Sequence, residues 1–192
     1  PSSGVYKMST ILDILIECSL NNSRLFKESV FAREVDNTLL KRVCKMALDP
    51  TINYYIKKIP AYSQSGRVMP LDEALNELEL LSSRSVTGMD AIRHLASVLS
   101  HVTRDDAVVI EQIIGRDLRC NVGETIVNKT WKKLIPEFPY MRCSLPKEVK
   151  LSKWNWAAGV YSQLKADGSY ANVITTPEGV RILTRSGTEY PS

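Results

Sequence analysis

The sequence predicts a mainly α protein, with an all-α helical region followed by a truncated antiparallel β segment. Three observations predict it. Apolar residues recur at helical spacing through the first two-thirds of the chain. The stretch "PEFPYMRCSLPKEVKLSK" (136–153) then brings three prolines and no helical period. Beyond it the apolar runs are short and are punctuated by Asp-Gly and Pro-x-Gly turn signals. The boundaries expected from these changes are a leader over 1–8, a helical domain over 9–134, a linker over 135–153, and the opening of a second domain over 154–192.

Composition narrows the class. Of 192 residues, 44% are hydrophobic and 24% charged, which excludes a disordered chain. No run approaches the roughly 18 apolar residues of a membrane span. The opening "PSSGVYKM" has one lysine and no apolar core, so it does not read as a secretory signal. The net charge of +4 is mildly basic, so where the charge lies matters more than its total. Cys18, Cys44, Cys120 and Cys143 stand far apart without a CxxC pair and read as buried thiols in a reducing compartment. His94 and His101 lack ligand-like companions and read as helix residues; no structural zinc is expected.

The helices follow in order. "STILDILIECSL" places Ile11, Leu12, Leu15 and Ile16 on one face, and Thr10 with Asp13 has capping-box spacing. "SRLFKESVFAREV" repeats the pattern with Leu25, Phe26, Val30 and Phe31. Asp36 is placed to cap "NTLLKRVCKMAL", and a shorter helical segment, "INYYIKKI", ends at Pro60. The polar "YSQSGR" is a loop. Pro70 suits the start of "LDEALNELELLSS". Thr87 with Asp90, and Thr103 with Asp106, repeat the capping-box spacing before "AIRHLASVLSH" and "AVVIEQIIGRDL". "GETIVNKTWKKL" is the last helix.

Three strands are expected after the linker: "GVYSQLKA", "SYANVITT" and "VRILTR". Lys165, Asp167 and Gly168 form a K-x-D-G pattern at the end of the first. That pattern has two readings. One is a lysine beside an Asp-Gly hairpin turn. The other is a nucleophile for a nucleotide phosphate, held at a strand end with Gln163 and Tyr161 on its face. Arg185, closing the third strand, is either a phosphate-binding guanidinium or a solvated charge at a sheet edge.

Basic residues concentrate in "GRDLRCNVGETIVNKTWKK". Arg116 and Arg119 end one helix, Lys129, Lys132 and Lys133 lie on the next, and Asn121 to Gly123 turn between them. Two helices with a short glycine-containing turn can present amides and lysines to a phosphate backbone. The same residues can equally form a solvated basic face. Lys57 and Lys58, following Tyr54 and Tyr55, make a smaller patch.

A resemblance weighs on both choices. "LLKRV" (39–43), "YYIKK" (54–58), the "RDLRC" to "NKTW" block (116–131), "LIPEFPYM" (134–141), "LKADG" (164–168) and "LTRSGTEY" (183–190) resemble, in order and spacing, the ATP-dependent DNA ligases of T-even-type bacteriophages. K-x-D-G alone is shared with RNA ligases and capping guanylyltransferases; the central block is specific to the phage family.

The resemblance implies a helical DNA-binding domain, an ATP-grasp-like nucleotidyltransferase domain of which only the beginning is present, and an OB-fold domain beyond it. It implies that Lys165 is the residue that becomes adenylylated. Gln163, Leu164, Asp167, Gly168 and Arg185 would line the nucleotide site, and Arg116, Arg119, Lys129, Lys132 and Lys133 would face DNA. ATP and Mg2+ are the implied cofactors, with the metal ligands beyond Ser192. Nicked double-stranded DNA is the implied partner of a monomeric enzyme in the host cytoplasm, acting in replication, repair and recombination, with no membrane association. Where many family members have K-x-D-G-x-R, this chain has Tyr170. Two alternatives are a non-catalytic duplex-DNA-binding module and an RNA ligase or capping-type nucleotidyltransferase.

Overall fold

The computed structural model describes residues 10–66, 68–137, 146–162, 164, 168–177, 179–185, 187 and 189–190. They fall into two compact units, Pro1–Pro136 and Glu137–Ser192. The fold class is as the sequence predicts: helices first, then a small antiparallel sheet.

The first unit carries α1 (Ile11–Ser19), α2 (Arg24–Arg33), α3 (Thr38–Leu48), α4 (Leu71–Ser82), α5 (Gly88–Ser100), α6 (Arg104–Ile114) and α7 (Glu124–Thr130). Helix α6 is central and packs against α1, α3 and α5. Its Ala107, Val109, Ile110, Ile113 and Ile114 are buried, a face too broad for a peripheral helix. Helix α2 packs on α1 and α7, and α4 on α5. Ion pairs trim the rim: Arg33 of α2 reaches Glu17 of α1 at 2.8 Å, and Arg42 of α3 reaches Asp72 and Glu79 of α4 at 2.7 and 2.8 Å.

The capping box of Thr10 and Asp13 is present in both directions. Thr103 accepts from the Asp106 amide, and its hydroxyl donates to the Asp106 carboxylate. Two expected caps differ. Thr87 makes no side-chain cap bond, because α5 begins at Gly88 with φ of 62°, a start that breaks the Thr-x-x-Asp geometry. Asn37, not Asp36, caps α3 by accepting from the Leu40 amide at 2.9 Å; Asp36 is still inside the turn that ends α2.

Two faces also shift. In α1 the buried set is Ile11, Ile14, Leu15 and Cys18, leaving Ile16 46% exposed. In α2, Lys27 is buried with Val30 and Phe31, whereas Leu25 is 76% exposed.

"INYYIKKI" is not helical. The Asp49 carboxylate captures the Thr51 amide and hydroxyl at 2.9 and 2.6 Å, and the Asn53 side chain accepts from the Tyr55 amide at 2.9 Å. These local bonds replace the i→i−4 ladder, and Tyr55 takes φ of 57°. The described part of "YSQSGR", residues 62–66, is a loop, as expected, held to the end of α5 by Ser65 N–H donating to Ser100 O at 2.8 Å and to α6 by Tyr62 Oη donating to Glu111 at 2.7 Å. The last helix is shorter than expected. Trp131 is extended rather than helical, its indole donating to Val35 O at 2.9 Å and meeting Phe31 edge-on at 5.9 Å.

In the second unit, residues 146–158 make three short 3-10 turns, Pro146–Glu148, Leu151–Lys153 and Trp156–Ala158. Strands β1 (Asn172–Thr176) and β2 (Gly179–Leu183) form an antiparallel hairpin with Val173 opposite Ile182 and Thr175 opposite Val180. The Pro177-x-Gly179 turn is thus where the sequence places it. The expected first strand is absent from the described part of its span, 159–162 and 164. The third chain segment of the sheet comes afterwards instead: Glu189 bridges Leu183, and the Tyr190 amide donates to Ile182 O at 2.9 Å.

Candidate nucleic-acid interface and nucleotide segment

The loop from α6 to α7 is built by alternation. Leu118, Cys120 and Val122 are buried, while Asp117, Arg119, Asn121 and Gly123 point outward. Three apolar pegs thus hold an irregular loop in place. Arg116, Arg119 and Asn121 all adopt left-handed backbone, with φ of 56°, 52° and 52°. Such conformations cost non-glycine residues about 1–2 kcal/mol each and persist only where the surroundings impose them. Here the Asp117 amide returns to Gln112 O at 3.0 Å, and the Arg119 amide donates to the Asp117 carboxylate at 2.8 Å. From beneath, the buried Lys27 ammonium lies 3.5 Å from Asn121 O.

The five basic residues expected to act together separate into two kinds. Arg116 is turned inward. Its guanidinium donates to Ile52 O and, at 2.7 Å, to Asp49 O, clamping the segment after α3. Burial pushes this guanidinium below its ordinary pKa. Lys129 is committed to Glu28 of α2, which Arg24 also holds; the two hydrogen bonds lower the Glu28 pKa. Arg119, Lys132 and Lys133 are exposed and have no carboxylate partner among the described residues. Lys132 and Lys133 do not lie on α7 but in the turn after it, Lys133 with φ of 58°. Asn128 closes that turn, donating to Ile135 O and accepting from the Ile135 amide, both at 2.9 Å.

The sequence reading missed Lys27 and Asn128. A signal existed for the first: Lys27 stands three and four residues before Val30 and Phe31, on the apolar stripe. Nothing local marks Asn128, because its partner is seven residues on, past the helix end.

The segment expected from the sequence to hold nucleotide is described only in part. Lys165, Gln163 and Asp167 lie outside the described residues. Leu164 is 96% exposed, and Gly168 sits in a bend with open space where a Cβ would stand. Arg185 does not end a strand. It lies in the turn beyond β2 that the Gly187 amide closes onto Thr184 O at 3.0 Å. Tyr170, standing where many ligases have arginine, donates to the Asn172 side chain at 3.0 Å, and its carbonyl accepts from the Tyr190 hydroxyl at 2.9 Å. It therefore braces the hairpin against the following segment. Among the described residues no three His, Cys, Asp or Glu side chains are grouped to hold a metal ion, and no helix is long and apolar enough to cross a membrane.

The chain superposes on the solved structures named "Pmar-Lig_PreS3" and "Pmar-Lig_Pre." with TM-scores of 0.65 and 0.68. The matches cover 95% of this chain and 44% and 43% of those chains, at 22% and 21% identity, so they establish the fold alone. No family model matches. Over 187 residues, 94% of its length, the chain is 36% identical to the DNA ligases of Enterobacteria phages T4 and T6. It is thus a sequence relative of the T-even phage DNA ligases, as the sequence blocks indicated, and it spans 38% of their length.

Proposed function

We propose that the chain is the DNA-gripping portion, and the beginning of the adenylation domain, of an ATP-dependent DNA ligase that seals nicks in duplex DNA. One observation carries the reading: the 36% identity to phage DNA ligases extends across 94% of the chain, including the "LKADG" segment. Residues 9–134 are assigned to DNA binding, 135–153 to the linker and 154–192 to adenylation.

In this reading the neutral Lys165 amine attacks the α-phosphorus of ATP. The new N–P bond forms as the bond to pyrophosphate breaks, leaving a lysine–AMP adduct. The 5′-phosphate of a nick then takes the adenylyl group from the lysine, and the 3′-hydroxyl displaces AMP to close the strand. A lysine free in water has a pKa of about 10.4, so the site must favour its neutral form. A divalent ion would supply charge neutralisation at the phosphates. The described residues offer no cluster fitted to hold it, so no step is assigned to a metal here. Gln163, Leu164, Asp167, Gly168 and Arg185 are assigned to the nucleotide. Arg119, Lys132 and Lys133 are assigned to DNA phosphates, where sequence-independent grip suits an enzyme that meets nicks of any sequence. Arg116 and Lys129 support those residues instead of contacting DNA themselves.

In this reading the 192 residues bind duplex DNA and do not by themselves seal nicks. A gel assay with nicked duplex, ATP and Mg2+ tests this. Binding without ligation is expected; sealing by the purified 192-residue chain would overturn the domain assignment.

A further inference from the structure

The segment after α3 and the connection from α4 to α5 meet in a groove of about 590 Å³. Its lining includes Tyr55, Lys57, Lys58, Arg84, Met89 and Ile92, and no described lining residue is acidic. Much of the unit's other basic surface is neutralised locally. Arg24, Arg33, Arg42, Lys45, Arg93 and Lys129 are all matched to carboxylates. Lys57, Lys58 and Arg84 are exposed, gathered on one groove, and have no carboxylate partner among the described residues.

The backbone under these cations is fixed. Tyr54 is buried and donates to Met46 O at 3.0 Å. Arg116 clamps the Asp49 and Ile52 carbonyls. Tyr55 and Arg84 both take left-handed backbone, with φ of 57° and 59°, and the Arg84 guanidinium stands 4.8 Å over the Tyr55 ring. Arg84 is the left-handed residue that follows the C-cap Ser83 of α4, and the Asn53 side chain turns the Tyr55 backbone, so local hydrogen bonds hold both partners of the exposed stack in place. Stacked on the ring, the guanidinium keeps its edge N–H donors available to an oxyanion. Met89, 63% exposed, and the Tyr55 ring give the groove an apolar side as well. A cationic rim beside an apolar wall matches the alternation of phosphate and deoxyribose along a strand.

We propose that this groove is a second seat for the sugar–phosphate backbone of duplex DNA, with Lys57, Lys58 and Arg84 contacting phosphates, additional to the seat at Arg119, Lys132 and Lys133. The proposal rests on the DNA-binding reading above. Arg116 links the two seats, since it leaves the α6–α7 loop to clamp the segment that carries Lys57 and Lys58.

The test is anisotropy of a labelled duplex titrated with the 192-residue chain over a KCl series. Each phosphate contact contributes about 0.9 to the slope of log affinity against log salt. Replacing Lys57, Lys58 and Arg84 together with alanine should lower the slope by about 2–3. An equal loss of charge at Arg24, Lys41 and Arg93 should lower it by less than about 1. Acetylation footprinting of the wild-type chain, read by mass spectrometry, should show Lys57 and Lys58 protected by duplex. If the wild type binds but the variant keeps its slope and the two lysines acetylate equally with and without DNA, the second seat is wrong and the DNA reading stands. If an acidic peptide protects the lysines and duplex does not, the groove belongs to a protein partner and the proposal falls. If the wild-type chain binds no duplex, both readings fall.

Discussion

Replacing Arg116 with alanine separates a structural arginine from a DNA-contacting one. In the structure its guanidinium makes two charge-assisted hydrogen bonds to backbone carbonyls, at Ile52 and Asp49, 64 and 67 residues away in sequence. Such bonds contribute about 1.5–3 kcal/mol each when buried. The site is part-buried, so water would recover some of the loss, and a destabilisation of about 2–4 kcal/mol is expected. Alanine adds little backbone strain of its own, because the arginine already sits at φ of 56°. For a unit of this size the loss lowers Tm by roughly 10 °C. Arg116→Lys should recover less than half of it, since an ammonium lacks the planar fork that spans two acceptors. The assay is urea and thermal unfolding of the 192-residue chain followed by far-UV circular dichroism, which reports the helices. An Arg116→Ala variant that unfolds at the wild-type midpoint yet loses duplex affinity would refute the clamp and make Arg116 a direct phosphate ligand.

Further expectations can be checked on the same chain. Asn128→Ala removes both hydrogen bonds to Ile135 and should cost about 1–3 kcal/mol in urea unfolding, loosening the turn that carries Lys132 and Lys133. Cys18, Cys44 and Cys120 are buried, and burial pushes the Cys18 thiol up to about 11. These three should resist a disulfide reagent at pH 8 in the native chain and react promptly in urea. Glu17 has a lowered pKa, chiefly through its hydrogen bonds from Arg33. Its folded pKa is below the unfolded one, so its stabilisation is present above the unfolded pKa near 4.5 and is lost as pH falls through the folded value. Arg33→Gln should therefore flatten the fall in urea midpoint below about pH 4.5.

The helical part was largely legible because its information is local. The periodicity of Ile11 to Cys18 and of Ala107 to Ile114, with Thr caps at 10 and 103, marks helices without tertiary knowledge. "INYYIKKI" misled because its apolar spacing is compatible with a helix, while the bonds that prevent one come from Asp49, Asn53 and the distant Arg116. Charge identified the basic block but not its use. Whether Arg116 or Arg119 faces outward depends on the alternating burial of Leu118, Cys120 and Val122 in a loop; the helical reading that ends one helix at Arg116 and Arg119 runs too far, since α6 stops at Ile114. The groove at Lys57 was half legible: the lysines were noted, but Arg84 joins them only through the fold. In the β part the turn at Pro177 was readable from residue types, whereas the order of the pairing segments was not, because pairing partners are chosen by the whole sheet.

The central claim is that this chain carries the adenylylated lysine of a DNA ligase, and the most direct measurement is intact-mass spectrometry with peptide mapping. It is made on the protein extended to the length of its phage relatives, incubated with ATP and Mg2+. The account predicts a gain of one AMP that maps to Lys165 and is released by nicked duplex. Lys165→Ala and Lys165→Arg should gain none, since neither offers a neutral amine, while their circular dichroism stays that of the wild type. An adduct that persists in Lys165→Ala, or a wild-type protein that ligates without ever carrying AMP on Lys165, would contradict the account.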